Sequence, residues 1–287
     1  MSSASFFGSV PETPRDDILA AYLDFLERRN GTIDAKQPYP RREEWLIDVE
    51  TSPPLYPDAL DEDLFNRSWT EFQPEAAEIP ALVSLLAFVK VNAGEAYGVE
   101  AVSKARHQKP VTSDLFDRVE RVLSREETYH TKILLGATRQ FNVPEPSGFW
   151  SPPLPVKLLI GTLVHAPRVF FHPVLLSAEV GGVYTFNWML KRVGTLFADF
   201  PAVRELMEQR LIEILVDEIG HIAFNRLAVG PRGMAIAQRM APEVAHHASG
   251  GTPEFLALGW SKATLDDFAE FDLNSLPEEV RRRAFFV

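Results

Sequence analysis

Glu126-Glu127-Thr128-Tyr129-His130 and Asp217-Glu218-Ile219-Gly220-His221 repeat one short pattern, acid-Glu-x-x-His, and each copy sits inside a long stretch of helical periodicity. On an α-helix, residues three apart lie on one face about a turn apart. A Glu and a His in this spacing can therefore hold one metal ion together. Two such helices need two further carboxylates to build a dinuclear site, and Glu95 and Glu179 stand at the right places in the chain to supply them. The resulting order is Glu95, Glu127-x-x-His130, Glu179, Glu218-x-x-His221, which is the inward-facing ligand pattern of a four-helix di-metal bundle.

Composition alone gives fewer than one Glu-x-x-His match by chance, and the chain holds a third, Glu243-Val244-Ala245-His246. That copy reads as accidental: it follows Pro242, runs into Ser249-Gly250-Gly251, and is expected to lack a long amphipathic helix around it. The first two copies differ because their faces are otherwise apolar. Leu123 and Leu134 lie one turn either side of Glu127/His130, and Leu211, Ile214, Leu215 and Ile222 surround Glu218/His221. Glu95 shares a face with Phe88, Val91, Val99 and Val102, whereas Glu100 falls with Ala96, Tyr97, Ser103 and Lys104 on a wetter one. Glu179 shares its stripe with Leu175, Leu176, Gly182, Val183 and Phe186. A carboxylate on a core face is expensive unless it is paired or binds a metal, and those faces carry no basic residues to pair with.

The acids preceding each ligand Glu, Glu126 and Asp217, can reach the ring N–H of the His on the partner helix, fixing its tautomer and raising its basicity. Gly181-Gly182 follows Glu179 in mid-helix, where the pair costs about 2 kcal/mol relative to alanine. Either room beside the metals or a close helix–helix approach accounts for it. His172 precedes Glu179 by seven residues, about 10 Å along a helix axis, too far to ligate; it reads as a helix-start or channel residue. Tyr97 and Tyr129 flank ligands but point away from the shared face.

Among its 287 residues the chain has no Cys and a net charge of −11. The first excludes disulfides, thiolate metal sites and iron–sulfur clusters, so any electrons come from outside. The second disfavours a nucleic-acid backbone or an anionic membrane as partner. The start, Met1 to Phe7, lacks the basic region and apolar core of a signal peptide. Val169 to Leu190 is long enough to consider as a membrane span, but His172 and Glu179 in its interior favour a buried helix. The expected location is cytoplasmic, with no membrane span.

Periodicity and punctuation give an all-α chain of one domain. A helix is expected over 12–29, then irregular wrapping with short helices over 31–79. The first long core helix follows Pro80 to about Arg106, and the second runs from near Asp114, capped from Thr112-Ser113-Asp114, to about Phe141. Asn142 to Pro155 reads as extended connector. The third core helix is expected from about His172, with Pro173 in its first turn, to near Phe200. The fourth runs from Pro201 to just before Gly230-Pro231. Two or three short helices follow over 232–287. The di-metal core thus spans about 80–228, flanked by an N-terminal wrapping segment (1–79) and C-terminal helices (229–287).

With these residues, the chain resembles the ferritin-like non-haem diiron-carboxylate proteins, and within them soluble oxygenases such as acyl-carrier-protein desaturases and bacterial multicomponent monooxygenases. The resemblance is confined to motifs within 80–228. It implies a ferritin-like four-helix bundle with metal ligation by Glu95, Glu127, His130, Glu179, Glu218 and His221, and supporting roles for Glu126 and Asp217. It further implies two iron ions cycling between Fe2+ and Fe3+, with manganese/iron suited to the same ligands, and dioxygen as co-substrate. An external reductase or ferredoxin would supply electrons to oxidise a small-molecule or carrier-bound acyl substrate by hydroxylation, N-oxygenation or desaturation. The alternative is a ferroxidase that handles iron, although ferritin subunits are shorter and form cages. A homodimer is compatible with such a fold, but the sequence gives no direct sign of one. Three positions depart from relatives. Leu134 stands where the ribonucleotide reductase small subunit has its radical Tyr, and Ile214 where p-aminobenzoate N-oxygenases have a third His. Val183 replaces the Thr of multicomponent monooxygenases. The tRNA hydroxylases of this superfamily would want a basic surface, which the charge disfavours.

Overall fold

The computed structural model of the chain describes residues 4–10, 12–31, 40–106, 114–143 and 154–287. Among the described residues all regular structure is helical, and no strand occurs. The helices are α1 (Arg15–Asn30), α2 (Pro40–Thr51), α3 (Glu62–Thr70), α4 (Pro80–Arg106), α5 (Leu115–Arg139), α6 (Leu154–Leu163), α7 (Arg168–Leu190), α8 (Val193–Leu196), α9 (Pro201–Ala228), α10 (Pro231–Gly250), α11 (Pro253–Ala257) and α12 (Glu278–Arg283). Short 3₁₀ turns occur at Pro74–Glu78 and between α11 and α12.

Start and stop signals explain most boundaries. α1 ends at Gly31, whose φ of 91° is the left-handed region that glycine enters without strain. Asp61 caps α3 by accepting from the Leu64 N–H, and Asp114 caps α5 by accepting from the Phe116 N–H at 3.1 Å. Thr112 and Ser113, the other cap candidates, lie outside the described residues, as do 144–153 of the expected 142–155 connector, whose last two residues, Leu154 and Pro155, instead begin α6. α9 opens on Pro201, whose absent N–H is one of the unsatisfied donors of a first turn anyway.

Four long helices carry the acid/His residues and form a bundle-like core. α4 packs on α5 and α7 on α9, and the two pairs meet where α5 crosses α9. α1 and α2 lie over α5 and α9, α10 covers the far side of α7, and α12 closes on α9. Leu123, Leu134, Val180, Val183, Leu211, Ile214, Leu215 and Ile222 are all in the core. Two helical stretches, Pro80–Ala105 and Arg168–Leu190, are long and apolar enough to cross a membrane by length and composition, and each has more than half of its apolar window inside the protein.

Two expectations are corrected. The third core helix does not run from 172 to 200: α7 begins at Arg168 after Pro167 and stops at Leu190, with α8 separate. Pro173 sits inside it, six residues in. A proline there removes one backbone hydrogen bond but keeps a helical φ, and Ser177 Oγ donates to the Pro173 carbonyl at 2.8 Å. The segment around Glu243 and His246 is likewise a long helix, since α10 continues through Pro242. Its buried stripe of Met234, Ala237, Ala241 and Ala245 consists mostly of small residues, which lets α10 approach α7 closely. Glu243 itself is exposed.

Candidate metal centre

α5 and α9 present their repeated strings to each other. Nδ1 of His221 lies 2.9 Å from Glu127 Oε1, 3.4 Å from Glu218 Oε2 and 3.8 Å from Glu179 Oε2. Nδ1 of His130 lies 3.3 Å from Glu127 Oε2 and 3.2 Å from Glu218 Oε1. Glu127 and Glu218 therefore turn one oxygen toward each imidazole. The two rings stand 5.8 Å apart, centroid to centroid, with their planes inclined by 28°. One ligand atom each from Glu127, Glu179, Glu218 and His221 falls within 4.8 Å of the others. Glu95 reaches the same region from α4, close enough for Glu218 and Glu127 to act on its ionisation, and its Oε2 is buried without a hydrogen-bond partner.

The second ring nitrogens are held from behind. His130 Nε2 lies 3.2 Å from Asp217 Oδ2, and His221 Nε2 lies 3.2 Å from Glu126 Oε2. Each acid thus faces the imidazole of the opposite helix. With Nε2–H donating backward, a neutral ring keeps its Nδ1 lone pair directed at the carboxylates. Behind the acids the two halves differ. Asp217 accepts from Arg29 Nε at 2.7 Å and from Arg42, and both guanidiniums also pair with Glu213. Glu126 accepts from the neutral Asn30 side chain at 2.7 Å. Arg29, Asn30 and Arg42 come from α1 and α2, and no sequence pattern pointed to them.

Electrostatics follow from four carboxylates in an apolar shell. Among the described residues no Lys or Arg comes within ion-pair distance of Glu95, Glu127, Glu179 or Glu218; their close charged neighbours are the imidazoles. Burial first, then the Glu218 charge, raises Glu95 and Glu179 well above the usual carboxylate range. Burial also pushes Glu218 up, but contacts with His130 and His221 outweigh it and hold that carboxylate well below its usual value. Glu127 behaves similarly: burial and Glu218 push it up, and the imidazoles bring it below. Burial alone would lower the two histidines, yet Glu127 and Glu218 raise His130 to about 9, and Glu127 with Glu126 raises His221 well above 6.5.

The neighbouring residues divide clearly. Gly181 is packed against α10, where an added Cβ would stand 3.3 Å from the Ala245 nitrogen, whereas beside Gly182 there is open space. The first glycine serves helix approach and the second leaves room next to Glu179. His172 is fully buried and its Nδ1 pairs with Asn225 Oδ1 at 2.9 Å, within α7 rather than at its start. Tyr129 points away and donates to Glu43. The sequence reading missed Tyr22 on α1. Its buried hydroxyl has no partner and abuts Gly220, where a Cβ would come within 2.2 Å of it. A glycine inside the second string was the available signal.

Comparison of the chain with known protein families, with curated proteins and with solved structures found no match.

Proposed function

We propose that the protein is a dioxygen-activating, ferritin-like diiron oxygenase that oxidises an organic substrate with electrons from a separate donor. The observation that carries this reading is the convergence of one ligand atom each from Glu127, Glu179, Glu218 and His221 to within 4.8 Å, with His130 Nδ1 against Glu127 and Glu218 and a buried, unpartnered Glu95 Oε2 beside them. Carboxylates gathered in a core without Lys or Arg partners are costly to bury, and cations between them remove that cost. Six donors of this kind, four carboxylate and two imidazole, suit iron or manganese better than a closed zinc site.

Glu95, Glu127, His130, Glu179, Glu218 and His221 would hold the two ions; Glu127 and Glu218 each offer one oxygen toward either imidazole, and Glu179 lies nearest His221. Bound iron would supply the capacity to reduce dioxygen. The chain supplies the surroundings. Asp217 and Glu126 hold the Nε2 protons and so the ring orientations. Val180, Val183, Ile214 and Leu215 exclude water. Open space beside Gly182 and the half-buried second part of α4 leave an approach for a substrate.

Loading with Fe(II) without oxygen, followed by exposure to oxygen at an electrode, tests the proposal. Oxygen uptake faster than by free Fe(II), and abolished in Glu218→Ala, is expected. Uptake no faster than free Fe(II) would refute it, and a cage-sized particle by light scattering with mineral formation would replace it with iron storage.

A further inference from the structure

Building on the two-metal reading, we propose that the two positions are unequal and fill in order, the His221 position first and the His130 position second. The asymmetry lies in what stands behind each imidazole. The acid behind His221, Glu126, accepts a hydrogen bond from the neutral amide of Asn30 and forms no ion pair with Lys or Arg among the described residues; Arg42 acts on it only at longer range, so more of its negative charge remains available to the ring N–H. The acid behind His130, Asp217, is shared between the guanidiniums of Arg29 and Arg42. A carboxylate already donated to by two cations is a weaker acceptor for a third proton, which leaves His130 the poorer electron donor to a metal. The two arginines also place positive charge one side chain behind the His130 position, which repels an incoming cation.

The ligand atoms lean the same way. Glu127, Glu179, Glu218 and His221 already converge to within 4.8 Å of one another. On the other side, Glu95 Oε2 has no partner, and no ion pair between Glu95 and His130 occurs among the described residues. The second position would have to draw Glu95 in, beside Glu127 and Glu218, which already turn one oxygen toward each imidazole. Glu213 gives the asymmetry a mechanical anchor. It pairs with Arg29, Arg42 and Arg283, so α2 and α12 are tied to the support of His130, while α1 reaches both sides through Arg29 and Asn30.

Anaerobic titration of the full chain with Co(II), followed by calorimetry and by electron paramagnetic resonance, reads this directly. Two steps of one ion each are expected, with affinities separated by about 10–100-fold, the usual effect of changing a partner behind a ligand. The uncoupled high-spin signal should peak near one equivalent and fall as the second ion couples to the first. Glu179→Gln should weaken the first step and Glu95→Gln only the second. Arg42→Met, which leaves Arg29 on Asp217, should strengthen the second step and narrow the gap. Two ions entering in a single step, or loss of the first step in Glu95→Gln but not in Glu179→Gln, would overturn the ordering while leaving the dinuclear site standing. Absence of any Co(II) binding by the folded chain would remove the underlying two-metal reading instead.

Discussion

Metal loading should expel protons in a number set by the site's own electrostatics. Without a cation, the charge of the carboxylates is balanced by protons: His130 with its pKa raised to about 9, His221 raised well above 6.5, and Glu95 and Glu179 raised well above the usual carboxylate range. At pH 7 about 99 in 100 His130 rings then carry the extra proton. A metal at Nδ1 requires the neutral ring, so a protonated imidazole must release its extra proton, and a cation likewise opposes the protonation that burial favours at Glu95 and Glu179. Filling both positions at pH 7 should release at least one proton per chain, the one on His130, and any held by His221, Glu95 and Glu179 adds to it. Expelling the His130 proton alone costs about 3 kcal/mol of binding free energy at that pH, and by pH 9 this cost nearly vanishes. Fe(II) added anaerobically to weakly buffered protein with a pH indicator would measure the count. Calorimetry in buffers of different ionisation enthalpy would check it independently. Affinity should rise steeply between pH 6.5 and 9. Release of less than one proton per chain, with both ions bound, would show that the imidazoles are already neutral and refute the reasoning.

Other consequences can be measured without metal. Because His130 has a folded pKa near 9 against about 6.5 unfolded, its contribution to stability is fully present below pH 6.5 and is lost as pH rises toward 9. Glu127 and Glu218, held low, stay ionised throughout that window. Chemical denaturation of the chelated protein should therefore lose about 3 kcal/mol between pH 6.5 and 9; flat stability would contradict the charge assignment. Gly220→Ala would drive a Cβ to within 2.2 Å of Tyr22 Oη and should destabilise by about 1–3 kcal/mol. Tyr22→Phe alone should be near neutral, since it deletes an unpartnered buried hydroxyl, and in the Gly220→Ala background it should recover part of the loss. An additive double-mutant cycle would disprove that contact. Lys90 and Glu254 form a buried pair linking α4 to α11. Glu254→Leu should cost about 3–5 kcal/mol by stranding the ammonium, and addition of Lys90→Met should restore much of it. Failure of the double variant to recover would point to a packing defect instead.

The core helices were legible where the chain carries strong punctuation. Pro80, Asp114, Pro201 and Gly230 mark ends that the structure places within a residue or two of the expected ones. Pro167 does mark a break, standing just before α7, but Pro173 and Pro242 lie inside helices that neighbouring packing carries through, against the expected start and break. The accidental nature of Glu243-Val244-Ala245-His246 followed from the wrong reason: the helix is there, but Glu243 faces solvent. Glu127, His130, Glu218 and His221 could be read because helical spacing alone puts each pair on one face. The partners of Asp217 and Glu126 could not. Arg29, Asn30 and Arg42 stand 96 to 188 residues away in sequence, and only the docking of α1 and α2 onto α5 and α9 brings them in. Tyr22 was hidden for the same reason, although Gly220 marked the space it fills.

Metal per chain after anaerobic Fe(II) loading and desalting, compared between the wild type and Glu127→Ala, tests the account most directly. Glu127 turns one oxygen to each imidazole, so its loss should affect both positions. The account predicts close to two irons in the wild type and a clear loss in the variant. A folded wild type that retains almost no iron would contradict it, because the six side chains would then not act as one metal centre.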